Sequence, residues 1–343
     1  MRINVMMQVV FISAASSLYA DTARFSALVI DDSTSMPISG VVVRANFAED
    51  IGWRAWTESS RPDVDIRETG HDGRCRLSGK TNCGDVCCWV PEPPQGYYAG
   101  RGWGHGYKEK NLFGVWQPDN LVATIRLQRV EHPIPLFVKK ISSRNHPYGG
   151  RVFDKGNGVL EFDFLVGDWL PPVGKGKIAD VRFERMPQED LGEGMNGAGV
   201  RGRVYRDAMN VSFLGEENGL VKVAESFSAA LRIRTAPEGG YCDSYNCWEG
   251  VGRDLQPISS YDKLRDFCFR IRTRKNDNGE IVEAFYGKIY GDISFAPAFD
   301  PLENIASVCM LYYLNPTPLD RNLEWDMKTN LCPNPGSLGQ LQP

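Results

Sequence analysis

The sequence predicts an all-β protein, on three observations. Gly and Pro are frequent, 35 and 21 among 343 residues, above the combined ~12% of average proteins, which favours turns over long helices. Apolar residues recur with a period of two over short runs, the spacing of half-buried strands. A 3.6-residue period is weak throughout. The length suggests two domains, since one domain takes roughly 100–200 residues. A hydrophobic content of 42% and a charged content of 24% exclude a disordered chain, a coiled coil and a polytopic membrane protein. The formal charge of −4 offers no basic surplus, so no nucleic-acid partner is expected.

The first element is a leader. Arg2 precedes an apolar run, Val5–Ala15, then Ser16-Ser17-Leu18-Tyr19-Ala20 and an abruptly polar Asp21. This layout predicts a signal peptide over residues 1–20, cut after Ala20. Leu18 departs from the small residue preferred at that place, and a buried first strand is the competing reading. The run is too short for a membrane helix of ~20 residues. The mature chain is therefore expected to have no transmembrane segment and to be secreted, extracellular or periplasmic.

Export implies oxidation and makes disulfides the first reading of the nine cysteines. Cys242 and Cys247 close a short polar loop and are the clearest expected pair. If the strands run as their alternation suggests, Cys75 and Cys88 face inward and pair, leaving Cys83 to close a small loop with Cys87. Cys268, Cys309 and Cys332 are scattered, and one thiol is left over.

Strands and turns alternate over residues 21–130. Phe25–Ile30 is apolar, and a polar turn follows. Val41, Val43, Ala45 and Phe47 then alternate with polar neighbours. Cys75 and Leu77 alternate with Arg74 and Arg76 after the turn Gly70-His71-Asp72-Gly73, and Val86, Cys88 and Val90 form another alternating run. Asn120–Val130 closes the region. Short, turn-punctuated strands predict a β-sandwich.

Two segments of this region, Val29–Ala45 (VIDDSTSMPISGVVVRA) and Thr69–Leu77 (TGHDGRCRL), resemble the carboxypeptidase regulatory-like domain. That family has prealbumin-like (transthyretin-like) β-sandwiches, related to collagen-adhesin B-type repeats. Pro37-Ile38-Ser39-Gly40-Val41 matches its turn-strand, and Asp72-Gly73-Arg74-Cys75-Arg76-Leu77 its second motif, with Cys75 at the aromatic position. The likeness covers about a third of the chain. Glu49–Glu68 and Pro94–Asn120 depart from a minimal domain. The resemblance implies a structural or binding module rather than a peptidase.

Residues 131–150 open with two X-Pro steps and end in Pro-Tyr-Gly-Gly, which predicts a linker. Residues 151–329 read as a second antiparallel β domain, a sandwich or a jelly roll, and belong to no family recognised here. Its clearest hairpin runs Asp266–Thr273, turn Asn276–Gly279, Ile281–Tyr290. Glu161 and Asp163 alternate with Phe162 and Phe164 and read as a strand's solvated face. A tail occupies 330–343.

Catalytic and metal motifs are weak. Gly197–Gly202 spells G-x-G-x-x-G, but a nucleotide site needs a strand before it and a helix after it, and here an acidic loop leads into a strand-like run. Arg274–Gly279 lacks the ligands of a calcium loop. His71, His105 and the first four cysteines lack zinc-finger spacing, so no metal and no cofactor is expected. Asn210-Val211-Ser212 is a lone glycosylation sequon. There is no G-x-S-x-G and no H-E-x-x-H. The Gly/aromatic stretch 96–116 is the one candidate ligand site: Tyr97, Tyr98, Trp103, Tyr107 and Trp116 stack on a glycan or anchor a surface protein if displayed, and otherwise pack over an open sandwich edge. The expected function is therefore a non-catalytic binding or structural protein. The alternatives are a carbohydrate-binding accessory protein using that loop, and a carboxylate-dependent hydrolase in the second domain.

Overall fold

The structure is a computed structural model. It describes residues 22–47, 63–81, 86–98, 100–104, 107–111, 114–119, 121–141, 152–153, 158–225, 233–262, 265–297 and 306–333. The expected leader, Cys83 and most of the expected tail lie outside these residues. The described regular structure is all β. The chain divides between Glu131 and His132 into two compact units.

The first unit is a β-sandwich. Its strands are β1 (Thr22–Asp31), β2 (Val42–Phe47), β3 (Asp63–Glu68), β4 (Arg74–Lys80), β5 (Val86–Trp89), β6 (Arg101–Gly104), β7 (Glu109–Lys110), β8 (Trp116–Gln117) and β9 (Leu121–Leu127). One sheet runs β4-β1-β9, a second β3-β2-β5-β6, and β7 pairs with β8. β1 lies antiparallel to β4 and parallel to β9. Alternation places Phe25, Ala27, Val29, Leu77 and Ile125 of the first sheet and Val43, Ala45 and Phe47 of the second in one core. The rings of Phe25 and Phe47 lie 5.9 Å apart across it. The motif turns sit as their chemistry asks. Gly40 and Gly73 take positive φ, and a Cβ on Gly73 would come within 2.6 Å of the Val29 carbonyl.

The second unit is also built from two sheets. Its strands are β10 (Ile134–Ile141), β11 (Val152–Phe153), β12 (Val159–Asp163), β13 (Asp168–Trp169), β14 (Val181–Arg185), β15 (Glu189–Met195), β16 (Arg201–Phe213), β17 (Gly219–Glu225), β18 (Ser244–Val251), β19 (Pro257–Ser259), β20 (Arg265–Lys275), β21 (Ile281–Pro297), β22 (Ala306–Leu314) and β23 (Trp325–Asn330). One sheet runs β17-β20-β21-β22-β10-β23 with β11 on β22, and the other β13-β12-β14-β16-β18-β19 with β15 on β16. An aromatic core joins them. Phe164 stacks on Phe269 at 4.6 Å and meets Tyr312 edge-on at 4.8 Å, geometries that favour the ring quadrupoles.

Three expectations are corrected. The segment 131–150, read as a linker, contains β10. Pro135 is exposed and precedes the residues that pair with β22, at a register shift against β23, a place where a strand tolerates proline. The pairs expected between described cysteines do not form: Cys75, Cys242, Cys247, Cys268, Cys309 and Cys332 carry free thiols, and the pair expected of Cys83 with Cys87 lies outside the described residues. Cys247 points into the core with Sγ 3.7 Å from the Met209 carbonyl, while Cys242 is exposed. Cys75 and Cys88 do face inward, but they belong to opposite sheets. Asp163 is not on a solvated face. It is fully buried where β12 ends, because its carboxylate turns back onto the next loop.

The G-x-G-x-x-G run is a hairpin connection between β15 and β16, with Gly199 at φ +78°. Asn210 of the sequon lies in β16 between β14 and β18 and donates from Nδ2 to Ser212 Oγ at 2.9 Å.

Candidate functional site

The Gly/aromatic stretch is largely packed. The Tyr97 hydroxyl donates to Asp31 Oδ2 at 2.8 Å, and the Arg129 guanidinium lies 5.4 Å from its ring centroid. Tyr98 is buried, and its amide donates to the Gln128 carbonyl. Tyr107 is buried with its hydroxyl on the Arg24 carbonyl at 2.7 Å, and burial pushes its phenol up to about 12. Trp116 is half-buried. Its Nε1 donates to the Thr81 carbonyl at 2.9 Å, its ring lies 6.1 Å from that of Tyr107, and Lys110 Nζ sits 4.7 Å from the ring. Trp103 stands in β6 opposite Cys87, and its side chain lies outside the described part. The described rings therefore close the sandwich, and the polar tips of Tyr97, Tyr107 and Trp116 each have a protein partner.

Asp31 organises this end of the first unit. It is buried and accepts from the Ser33 hydroxyl and amide, the Thr34 amide, Tyr97, and Arg129 Nε at 2.5 Å. The Ser33 hydroxyl, with Arg129, Thr34 and Tyr97, holds its carboxyl well below the usual range against the cost of burial.

Four buried acids of the second unit, Asp163, Asp180, Asp207 and Asp292, are similarly committed. Against its desolvation, Asp163 accepts amides of Leu165, Val166, Lys177 and Ile178 and Arg272 Nη2 at 2.6 Å, which lowers its carboxyl. Asp180 accepts the Phe164 amide and Arg272 Nε at 2.8 Å, and burial raises it despite Arg272. Asp292 accepts Tyr245, Arg265 and the amides of Asp262 and Ile293. Asp207 pairs with Arg185 at 2.5 Å. A carboxylate saturated by amides and guanidinium has no lone pair ready for a substrate proton. Among the described residues, no group of His, Cys, Asp and Glu is placed to hold a metal.

A different feature stands open to solvent. The outer face of the β4-β1-β9 sheet carries a groove of about 510 Å3, within the range of ligand sites. Arg24, Ser26, Arg74, Arg76, Ser78, Asp119 and Val122 line it, with Phe25 and Leu77 beneath. Register sets Arg24 opposite Ser78, Ser26 opposite Arg76, and Leu28 opposite Arg74. Each arginine thus faces a small or aliphatic residue, and the serines leave the floor low. Among the described residues no carboxylate forms an ion pair with Arg24, Arg74 or Arg76, whereas Arg126 on the same face has Asp32 at 3.9 Å. Sequence reading missed this site. The alternation of Arg74 and Arg76 with Cys75 and Leu77 is visible, and so is that of Arg24 and Ser26 with Phe25. Only the pairing of β1 with β4, some fifty residues on, gathers them.

No family model matches the chain, and no curated protein is similar to it. Among solved structures, a streptococcal ancillary pilin is similar at 14% identity and a TM-score of 0.20, over 53% of this chain and 58% of the pilin. The chain thus spans little more than half of that pilin's length. The shaft pilin SpaA of Lactobacillus rhamnosus GG is similar at 9% identity and a TM-score of 0.22, over 58% of this chain and 89% of that one. Both likenesses lie below the level from which a shared activity follows.

Proposed function

We propose that the protein is an exported, non-catalytic binding and structural protein that acts outside the cytoplasm. The carrying observation is the groove on the first unit, where three arginines that pair with no acid among the described residues face solvent from the sheet. Unpaired guanidinium groups are preorganised to receive an anionic partner. The amide-saturated carboxylates of the second unit support a structural role for that unit. The leader-like sequence supports export, and among the described residues no helix is long and apolar enough to cross a membrane.

The test is an array of neutral and anionic polysaccharides, nucleic acid and surface proteins, probed with the full chain. Saturable binding to at least one extracellular polymer or surface protein is expected. A folded chain that binds nothing on the array, or that turns over a substrate presented there, overturns the reading.

A further inference from the structure

We infer that the groove of Arg24, Arg74 and Arg76 binds a polysaccharide carrying closely spaced anionic groups, carboxylate or sulfate. The inference rests on the binding reading above and names its ligand class.

The spacing follows from the sheet. Arg74 and Arg76 are two residues apart on β4 and point to the same face, so their stems rise about 6.5–7 Å from one another. Arg24 pairs with Ser78, so Arg24 and Arg76 are diagonal neighbours at about 7–8 Å. Three guanidinium forks at such intervals fit a chain that repeats its charge. Each fork offers paired N–H donors matched to a carboxylate or an ester oxyanion. Ser26 and Ser78 lie between the arginines and add hydroxyls that donate or accept, as sugar hydroxyls require. Asp119 on the rim repels surplus anion and gives the groove a polarity.

The lining argues against other polymers. A single nucleic-acid strand is held by aromatic rings on which bases stack. The one ring among the described lining residues, Phe25, is buried beneath the sheet. A neutral sugar is likewise held by a flat exposed ring, and among the described residues none lines the groove. Charge and hydroxyl contacts remain. The whole chain is net negative, so attraction of a polyanion must come from this local arrangement, and salt weakens it.

The test is titration calorimetry of the full chain with a heparin hexasaccharide, a hexagalacturonate, maltohexaose and dT10. Binding is expected to one or both of the first two, and their ratio identifies sulfate or carboxylate as the source. Arg76→Ala should weaken it about 10- to 100-fold, as for loss of a charged hydrogen-bonded partner. Arg76→Lys, which keeps charge but loses the fork, should weaken it several-fold. Arg126→Ala, outside the groove, should change it by no more than about two-fold, and Asp119→Asn should strengthen it. Unchanged melting temperatures of these surface variants show that folding is intact. The inference is overturned if maltohexaose or dT10 binds as well as the anionic sugars, if Arg126→Ala matches Arg76→Ala, or if neither anionic sugar binds. In each case binding to another partner on the array leaves the broader reading standing, and silence on both removes it.

Discussion

Arg272 Nη2 lies 2.6 Å from Asp163 Oδ1, and through this contact β20 of one sheet holds the end of β12 in the other. The same guanidinium reaches Asp180 at 2.8 Å, and Arg272 itself sits at φ +52°, a conformation uncommon outside glycine. Asp163 and Asp180 together fix the turn after β12 and the segment leading into β14 through five backbone amides.

Removing that arginine leaves two buried carboxylates without their cation. Arg272→Ala should destabilise the second unit by about 3–5 kcal/mol, the range for breaking a buried pair from one side. Arg272→Lys should recover part of the loss, since a point charge cannot serve both acids with a fork. Chemical denaturation monitored by tryptophan fluorescence measures both. A loss below about 1 kcal/mol for Arg272→Ala would refute this role.

Asp31 makes the stability of the first unit acid-sensitive. Its folded carboxyl lies below the ordinary value near 3.8, held there first by the Ser33 hydroxyl and also by Arg129. A carboxyl depressed in the folded state contributes stability that is full above its unfolded value and is lost as pH falls through its folded one. Melting of the first unit should therefore decline below about pH 4. Asp31→Asn should be less stable at pH 7 and should lose less between pH 5 and pH 2. An unchanged pH profile in that variant would count against the assignment.

Much of the fold was legible because alternation is local. Phe25, Val43, Leu77 and Phe269 show their inward faces within a few residues of sequence. What was hidden depends on partners far along the chain. Pro135 reads as a linker residue until β22 and β23 are known to flank β10. Asp163 reads as a surface residue until the amides of Lys177 and Ile178 arrive beneath it. The groove needed the register of β1 on β4, which no single segment carries. The aromatic stretch was visible, but whether its rings face water or protein is decided by Asp31, Arg24 and Thr81.

The edge of β4 is guarded by side chains rather than by a strand. Asp65 Oδ2 accepts the Ser78 amide at 3.0 Å, and Asp63 Oδ2 accepts the Lys80 amide at 2.8 Å. Both acids sit on β3 of the facing sheet, so they also tie the sandwich closed. Open edges template pairing with other chains. Asp63→Ala with Asp65→Ala should cost about 1–3 kcal/mol and should raise light scattering at high protein concentration. Scattering equal to wild type would show that the edge is protected by other means.

Thiol accessibility tests the unpaired cysteines. Cys242 is exposed, while Cys75, Cys247, Cys268 and Cys332 are buried. Burial pushes the Cys75 thiol up to about 11 and Cys268 to about 12, and raises Cys247 as well. The thiolate is the reactive form, so these groups resist alkylation twice over, by access and by protonation. Iodoacetamide at pH 8 should modify Cys242 first in the folded chain, and the buried four only after denaturation without reductant. Peptide mass mapping follows each site. A Cys242–Cys247 crosslink in native material would contradict the free-thiol arrangement. It would require the Cys247 side chain to leave the core beside Met209, because a disulfide holds its two Cβ atoms about 3.5–4.5 Å apart.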